Sequence, residues 1–388
     1  METRLGLRDV IAGETHICKL DEQESRVYYF GYSIEELVER QDFESVAYLT
    51  LFGELPAGKG FAFAAPDLTE LRHVWNTLRR EPPSSHPMGL LRTAMSSLGN
   101  YARGSASSDL ASERTEAQAL VPKVGYLVGL VSRHVAGKGW LAPRAGYSYA
   151  ENILTMLRGR RPGSFDARAM NVALILYTEH EFNAGSLGVR VAASAHADIY
   201  SSVIAGECIL RGPRHGFANE EVMKLMLEIG GPENVRAYLD RFFEQPGARL
   251  PGFGHAVYNL PHSRDPRVDV LRPWVRELSR RKGDTRWYET CLAMEEYMAE
   301  RMRPRVARGN PNAPPNMDLW TAPLYYLLGI PIPLYTPLFA ASRIAGWCAH
   351  YLETRYVNNE PLIRPRAAYV GPAPRPYTAS PSFGATAS

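Results

Sequence analysis

The sequence has little of several features that would narrow its class. Its 388 residues include only four cysteines, far apart and without a C-x-x-C pair: Cys18, Cys208, Cys291 and Cys348. This argues against a disulfide-stapled domain and a cysteine-based zinc site, and is typical of core thiols in a reducing compartment. The formal net charge is only +3, so the charge balance gives no electrostatic case for a nucleic-acid partner.

Long apolar runs are also missing. The N-terminus lacks the apolar core of a signal peptide, and runs such as Ala322 to Ile332 are too short to span a bilayer. We therefore expect a soluble cytoplasmic protein with no membrane partner. A transit peptide removed before residue 1 would change this expectation.

Strand patterns are scarce, and only residues 26–31 form a strand-like run. Ser33 and Glu36 have the spacing of a helix capping box, and the apolar helical pattern that follows ends at Gly53. So many helices and so little strand predict an all-α fold. The further predicted helices cover residues 67–80, 87–99, 118–134, 149–158, 166–180, 187–210, 219–229, 233–244, 268–281, 287–303, 318–329 and 337–355.

Three stretches have loop composition. Residues 100–116 are small and polar, as expected of an exposed loop. The stretch from Gln245 to Arg267 contains proline, glycine and histidine without a helical period, and a loop of that length in a compact chain is more often functional than idle. The tail from Gly371 is rich in proline, serine, alanine and threonine and is expected to be disordered at its end.

One histidine stands at a sharp turn, in Gly212-Pro213-Arg214-His215-Gly216. A helix is predicted to begin just past His215, and its free N–H groups favour nearby negative charge, which suits a reaction that develops an oxyanion. The apolar residues at helical spacing that predict this helix are Val222, Leu225, Met226 and Ile229.

Three more segments place an ionisable side chain at the boundary of an element, where side chains can converge on a cleft. They are Glu179-His180-Glu181, Gly254-His255-Ala256 and Asn316-Met317-Asp318. Taken singly, such a histidine is more often a hydrogen-bonded structural residue than a functional one. A metal site from this set is disfavoured because no histidines are paired at i and i+4.

In order along the chain, these segments resemble the citrate synthase family, and the resemblance covers nearly the whole sequence. It implies condensation of acetyl-CoA with oxaloacetate, followed by hydrolysis of the citryl-thioester. It implies no metal and no other cofactor, since the coenzyme A thioester is a substrate. The other matching segments are residues 6–15, 31–37, 52–56, 86–88, 342–347 and 362–366.

The resemblance also implies roles for the catalytic residues. Asp318 would take a proton from the acetyl methyl group, His215 would hydrogen-bond the thioester oxygen, and His255 would polarise the ketone and protonate the new alkoxide. An unperturbed aspartate, with a pKa of about 3.9, is a poor base for this step. A donor aimed at the developing oxyanion can contribute roughly 3–4 kcal/mol.

The binding residues are implied in the same way. Guanidinium groups hold carboxylates in bidentate geometry. By resemblance, the protein is an obligate homodimer in which Arg364 reaches into the partner subunit's site. The implied oxaloacetate-binding residues are His180, Arg267, Arg343, Arg364 and Arg79, and the implied CoA-binding loop is Arg249, Leu250, Pro251, Gly252 and Phe253.

A run of basic residues has two possible interpretations: it could meet CoA phosphates or form a solvated helix face. The run consists of Arg272, Arg276, Arg280, Arg281 and Lys282.

The implied architecture has two parts. Residues 1–216 and 330–388 would form a large helical domain, and residues 217–329 a small domain. Closure of the small domain over the cleft between them would exclude water until the carbon–carbon bond has formed.

The sequence departs from the family pattern near the acyl and dicarboxylate pockets. The stretch from His255 to Arg267 is longer than usual, so Arg264 could take the place of Arg267. Phe217 stands where a glycine is usual, and Leu319-Trp320 replaces a typical aromatic pair. Further departures lie at Ala184-Gly185-Ser186 and around residues 357–361.

These departures favour altered substrate choice over lost catalysis. One methylene in an apolar pocket is worth only about 1–3 kcal/mol, so a few changes could favour a longer acyl donor. Acetyl-CoA is the leading donor, and the nearest rival hypothesis is a 2-methylcitrate or longer alkylcitrate synthase. A non-catalytic relative that binds CoA or a dicarboxylate is a third hypothesis, and a citrate-cleaving lyase with the same fold is a fourth.

Overall fold

The computed structural model describes residues 5–7, 10–58, 60–101, 109–213, 215–258, 260, 262–309 and 312–376. These residues form fifteen α-helices, which confirms the predicted all-α fold. The helices are α1 (Ile34–Arg40), α2 (Phe43–Phe52), α3 (Leu68–Leu78), α4 (Pro87–Tyr101), α5 (Leu110–Val135), α6 (Tyr149–Arg158), α7 (Ser164–Tyr177), α8 (Ala184–Ser194), α9 (Ile199–Leu210), α10 (Ala218–Ile229), α11 (Val235–Phe242), α12 (Pro266–Lys282), α13 (Arg286–Val306), α14 (Met317–Leu327) and α15 (Tyr335–Leu352).

A small antiparallel sheet precedes the helices, with the strand order β1 (Cys18–Asp21), β2 (Arg26–Tyr29) and β3 (Tyr32–Ser33). Strand β2 confirms the predicted strand-like run, whereas β1 is absent from the sequence prediction. The buried Tyr29 hydroxyl donates to the Glu179 carbonyl at 3.1 Å. This bond fixes the sheet against the C-terminal end of α7.

Capping residues explain where the first helices begin and end. The Ser33 hydroxyl accepts from the Glu36 N–H at 3.3 Å, and Gly53 ends α2 in the left-handed region at φ 83°, both as predicted. Asp42 accepts from the Ser45 N–H at 2.8 Å. This additional N-cap divides the predicted run into α1 and α2.

The predicted helix over residues 187–210 is also divided. His196 adopts a left-handed φ of 61°, and Asp198 caps a new helix by accepting from the Ser201 N–H at 2.9 Å. The apolar spacing in the sequence continues through the break because α8 and α9 pack against each other, and each helix therefore needs an apolar face. The sequence prediction of one continuous helix is therefore wrong.

Two loop predictions are only partly covered by the described residues. In the predicted loop over residues 100–116, residues 102–108 lie outside them, and α5 already begins at Leu110. The expected disorder at the end of the tail concerns residues 377–388, which also lie outside them. None of the described helices is both long and apolar enough to cross a membrane.

Helix α15 forms the centre of the fold. All 18 of its residues are buried, as expected of a helix that is packed on every side. It contacts α5, α9, α2, α8 and α7, while α14 packs against α12 and α10. These contacts bring α15, the end of α7 and the N-termini of α10 and α14 to one region.

Candidate active site

The turn that contains His215 joins α9 to α10. The His215 N–H donates to the Gly212 carbonyl at 2.9 Å, and the Gly216 N–H donates to the Leu210 carbonyl at 3.1 Å. A Cβ at Gly216 would lie 2.4 Å from that same carbonyl oxygen, so the turn requires glycine there. As predicted, α10 starts shortly after the histidine, at Ala218.

The His215 ring has an unused nitrogen. Its Nε2 is buried, and no hydrogen-bond partner for it exists among the described residues. Burial, together with the nearby Arg343 and His255, lowers the pKa of His215 to about 4. The imidazole is therefore neutral near pH 7, and a buried ring nitrogen without a partner is suited to a hydrogen bond with a ligand.

Asp318 lies in the first turn of α14. Asn316 caps this helix by accepting from the Asp318 N–H at 3.0 Å, and the Tyr177 hydroxyl donates to Asp318 Oδ1 at 2.6 Å. Burial raises the pKa of Asp318 to about 6, although the bond from Tyr177 opposes the rise. Asp318 is thus a stronger base than an exposed aspartate and is still mostly ionised at pH 7.

His255 and His180 form an aromatic cluster with Tyr258. The ring centroids of the two histidines are 4.9 Å apart, and His180 Nε2 lies 3.0 Å from the Tyr258 hydroxyl oxygen. The Val257 N–H donates to His255 Nδ1 at 3.1 Å. Burial lowers the pKa of His255 to about 4, so this histidine is neutral and its proton lies on Nε2, where it is a potential donor.

Two buried arginines border these groups. Arg343, on α15, donates from Nε to the Tyr177 carbonyl at 2.7 Å. Arg267 makes a bidentate ion pair with Asp265, with both N–O distances at 2.8 Å. Arg267 is one of the charges that lower the pKa of His180 and His255, and Arg343 also acts on both. Of these two buried guanidinium groups, only Arg267 is directly paired with a carboxylate, that of Asp265. The pair therefore keeps positive charge that can bind a dicarboxylate.

The predicted coenzyme loop pairs with the segment that precedes Asp318. Phe253 forms an antiparallel bridge with Pro315, the Asn316 N–H donates to the Gly252 carbonyl at 2.9 Å, and the Gly254 N–H donates to the Pro314 carbonyl at 2.8 Å. These main-chain bonds hold the loop beside the N-terminus of α14.

Gly252 is required for that pairing. It has a left-handed φ of 81°, and a Cβ there would lie 2.9 Å from Val222 Cγ2 and 3.1 Å from Leu319 Cβ. Of the other predicted loop residues, Leu250 is buried and Arg249 is exposed. The side chain of Arg249 is thus open to a ligand at the surface.

Arg364 and Arg79 are not brought to this cluster within the described part of the chain. Arg364 is exposed and follows an extended segment, in which the Ile363 N–H donates to Ser194 Oγ at 3.1 Å. Arg79 is exposed at the C-terminal end of α3. The roles that the sequence predicts for these two arginines stay predictions.

Arg264 and the basic run of α12 are largely neutralised at the surface. Arg264 pairs with Asp269 at 3.1 Å, while Arg267 is the residue that lies in the buried cluster. Most of the basic run is paired with carboxylates, through the ion pairs Arg272–Glu295, Arg280–Glu277, Arg281–Glu277 and Lys282–Asp166. The solvated-face interpretation is therefore favoured for this run.

Sequence reasoning missed the residues that orient the ionisable groups. Tyr177 contacts Asp318 across 141 positions of sequence, and it lies in an apolar helix end that gives no signal of function. Tyr258 and Asp265 lie in the long loop next to predicted residues, and proximity in that loop is the only signal that could have identified them. Asp265 matters because its Oδ2 also accepts from the Met317 N–H at 3.0 Å.

The bond from Tyr177 gives a prediction about pH. Tyr177→Phe removes a donor that stabilises the Asp318 carboxylate, so the pKa of Asp318 should rise above about 6. A hydrogen bond to a charged group is worth roughly 1.5–3 kcal/mol, so the acid limb of kcat/KM should move up by about one pH unit. Tyr126→Phe, at a buried tyrosine outside the cluster, should leave the limb in place. An unchanged limb in Tyr177→Phe would contradict the assignment of Asp318 as the base.

Among the described residues, no group of three or more histidine, cysteine, aspartate or glutamate side chains could hold a metal ion. The cluster instead contains two ionised carboxyls, three neutral imidazoles and two guanidinium groups: Asp265, Asp318, His180, His215, His255, Arg267 and Arg343. It can accept a proton at Asp318, donate hydrogen bonds from imidazoles and bind anions.

Comparison with known proteins shows which family the chain resembles. The family pattern described as citrate synthase, C-terminal domain, matches residues 6–366. The chain is 36% identical to citrate synthase 2 of Bacillus subtilis over 377 residues, covering 96% of this chain and 97% of the relative. It is 34% identical to 2-methylcitrate synthase 1 of Corynebacterium glutamicum, covering 95% and 96% of the two chains.

A solved structure with a similar fold is the ternary complex of carboxymethyl coenzyme A and oxaloacetate with citrate synthase from Thermoplasma acidophilum. It has a TM-score of 0.86 and 31% identity, with coverage of 97% of this chain and 98% of that one. Since the family pattern spans nearly the whole chain and the relatives exceed 30% identity over almost their full lengths, this protein belongs to the citrate synthase family.

Proposed function

We propose that the protein condenses acetyl-CoA with oxaloacetate and hydrolyses the citryl-CoA intermediate to citrate and free CoA. The observation that supports this most directly is the environment of Asp318. It combines a half-buried carboxyl that has a pKa of about 6 with the nearby buried guanidinium groups of Arg267 and Arg343. A positioned base with a pKa near the working pH suits the removal of a weakly acidic proton.

The proposed reaction starts at the acetyl methyl group. Asp318 takes one of its protons, and His215 donates a hydrogen bond from its ring to the thioester oxygen, where negative charge develops. The released electron pair forms the carbon–carbon bond to the ketone carbon of oxaloacetate as the thioester carbonyl re-forms. The ketone oxygen then takes the Nε2 proton of His255, and water cleaves the thioester to give the carboxylate and the CoA thiol.

Arg267, Arg343 and His180 are proposed to hold the two carboxylates of oxaloacetate, with Arg364 supplied by the partner subunit of a homodimer. The exposure of Arg364 in its own chain supports this assignment, because an arginine that completes a site in trans must leave its own subunit. Arg79 is kept as a further ligand contact. No metal or other cofactor takes part, and the coenzyme A thioester is a substrate.

Residues 249–253 are proposed to bind the coenzyme and residues 217–329 to close over the cleft as a small domain. The main-chain pairing of Gly252 and Gly254 with residues 314–316 supports the first assignment, since it places the loop next to the base. The packing of α10, α12, α13 and α14 on one another supports a unit of this extent. Closure would keep water from the enol until it has reacted.

The second candidate function is synthesis of 2-methylcitrate or a longer alkylcitrate. Relatives with the name 2-methylcitrate synthase are as similar to this chain as several named citrate synthases, as the 34% identity to the C. glutamicum enzyme indicates. Leu319, directly after the base, is an aliphatic residue and is fully buried. A longer acyl chain gains about 1–3 kcal/mol per methylene only if the acyl pocket has room for it.

Release of free CoA thiol from the purified protein tests both candidates. With oxaloacetate present, acetyl-, propionyl- and hexanoyl-CoA are supplied in turn, and kcat/KM is compared. We expect acetyl-CoA to be used fastest. Faster use of propionyl- or hexanoyl-CoA would reassign the protein to alkylcitrate synthesis, and no release with any donor would overturn the proposed condensation.

A further inference from the structure

A buried guanidinium outside the catalytic cluster has an unusual number of partners. Arg190, on α8, is 1% exposed. Its Nη1 donates to Glu353 Oε2 at 2.6 Å and to His350 Nδ1 at 3.1 Å. Its Nη2 donates to the Glu14 carbonyl at 3.1 Å and also to Glu360 Oε1. The proposed mechanism does not use this group.

One branch of these contacts leads to His180. Because arginine only donates, His350 Nδ1 must accept from Arg190, so the His350 proton lies on Nε2. That nitrogen lies 3.1 Å from Glu179 Oε1 and donates to it. Glu179 Oε1 in turn accepts from the His180 N–H at 2.7 Å. A continuous series of hydrogen bonds thus joins Arg190 to the backbone of a substrate-binding histidine.

The other branch leads to Arg364. Glu360 is held by Arg190 and, through its own N–H, by the Thr354 carbonyl at 2.8 Å. Three residues later, the Ile363 N–H donates to Ser194 Oγ at 3.1 Å. Helix α8 therefore fixes both ends of the short segment 360–363, immediately before Arg364.

The spacing of these two attachments is set by the helix. Arg190 and Ser194 are four residues apart on α8 and so lie on the same face, one turn from each other. The start of the segment is further fixed by Asn359, which adopts a left-handed φ of 46°. With both ends attached, the chain has little freedom to vary the direction in which it leaves towards Arg364.

We propose that Arg190 is a positioning residue for oxaloacetate recognition, which fixes the exit of the Arg364 segment through Glu360 and orients His180 through His350 and Glu179. This inference rests on the proposed function, because it assumes that Arg364 binds oxaloacetate in the partner subunit's site. Preorganisation of a binding arginine lowers the entropic cost of ligand binding without adding a contact.

The test is Glu360→Gln, which removes one charge at the surface-facing end of the network and leaves Arg190 paired with Glu353. We expect KM for oxaloacetate to rise about tenfold. This value lies between the small effect of losing an exposed ion pair and the hundredfold effect of a 1 Å misplacement. Since the acyl-CoA site is not involved, kcat and KM for acetyl-CoA should change by less than about twofold.

The matched control is Glu151→Gln, which breaks the ion pair with Arg161 at 2.7 Å on the surface of α6. It should leave all three kinetic constants unchanged. Ser194→Ala, which releases the other end of the segment, should also raise KM for oxaloacetate. An unchanged KM in both Glu360→Gln and Ser194→Ala would overturn the inference, provided that Arg364→Ala itself raises KM.

Mixed dimers separate the positioning effect from a general structural one. In the first mixture, one chain is unaltered and its partner carries both Asp318→Ala and Glu360→Gln. The only working site then receives Arg364 from the chain with Glu360→Gln, and KM for oxaloacetate should rise. With Glu360→Gln moved to the active chain and Asp318→Ala alone in the partner, KM should be normal. Equal KM values in the two mixtures would overturn the inference. If Arg364→Ala leaves KM unchanged, the proposed role of Arg364 fails, and the inference fails with it.

Discussion

Replacing Asp318 by asparagine is expected to lower kcat by about a thousandfold, within the roughly 10²–10⁴-fold contribution of a positioned base. The amide has the same size and can still accept from the Tyr177 hydroxyl, which now donates at 2.6 Å, but it cannot take a proton from the acyl donor. The measurement is thiol release at pH 8, above the Asp318 pKa of about 6, where the wild-type carboxyl is ionised. Retention of more than about a tenth of the wild-type kcat would show that another group is the base.

The same substitution should stabilise the folded chain. Burial raises the pKa of Asp318 to about 6, so the folded state binds this proton more tightly than the unfolded state. The free energy of unfolding therefore falls as the pH rises from about 4 to about 6, and the penalty is fully present above that range. Asparagine removes a penalty of roughly 1–3 kcal/mol at pH 8. Thermal denaturation at pH 8 should accordingly show a higher Tm.

Glu44→Gln is the matched control for this pair of effects. Glu44 is also a carboxyl with a raised pKa, about 7 because of burial, and its Oε1 accepts from the Tyr149 N–H at 2.6 Å. The glutamine variant should also be more stable than the wild type but should keep its full kcat. Loss of activity in both variants would mean that removing a buried charge, and not removing the base, disturbs turnover.

Replacing His215 by alanine is the second change with a large expected effect, a fall in kcat of about 10²–10³-fold. The Nε2 atom has no hydrogen-bond partner among the described residues, so the loss of that nitrogen leaves no protein group there unpaired. Because the lost donor acts on charge that develops during the reaction, KM for acetyl-CoA should change far less than kcat.

His134→Ala provides the comparison. Its Nε2 contacts the Glu81 carbonyl at 3.0 Å, and neither residue belongs to the cluster. The loss of this bond should cost about 0.5–1.5 kcal/mol of stability with no loss of kcat. The His215→Ala variant could lose activity simply because part of it is unfolded. The role proposed for His215 would be contradicted if the unfolded fraction were large enough to explain the whole loss of activity.

Local chemistry allowed much of the scaffold to be predicted. The boundaries at Ser33 and Gly53 follow from a side-chain cap and a left-handed glycine, both of which act within a few residues. The breaks at Asp42 and Asp198 were missed because apolar spacing continues across them, so the period alone does not show that the backbone turns. Strand β1 was missed because its side chains do not alternate clearly between buried and exposed.

The site was predictable only in part, for a related reason. The ionisable residues His215, His255 and Asp318 stand at turns, where sequence patterns are informative. The groups that set their properties lie elsewhere. Tyr177 lies in the interior of the fold, and its hydroxyl meets Asp318 only because α7 and α14 pack together. The pKa of about 6 likewise arises from burial by remote elements, which no local pattern encodes.

The pairing of residues 252–254 with 314–316 also affects how the enzyme can evolve. This junction is made from main-chain hydrogen bonds and one bond from the Asn316 side-chain amide to the Gly254 carbonyl at 2.9 Å, so its hydrogen bonds do not involve the side chains of Phe253 or Pro315. Substitution at these two positions therefore leaves the main-chain bonds of the junction in place, whereas Gly252 is constrained because its φ of 81° tolerates no replacement without strain. Under the proposed function, a lineage can thus change part of the coenzyme-binding loop by point mutation without moving Asp318.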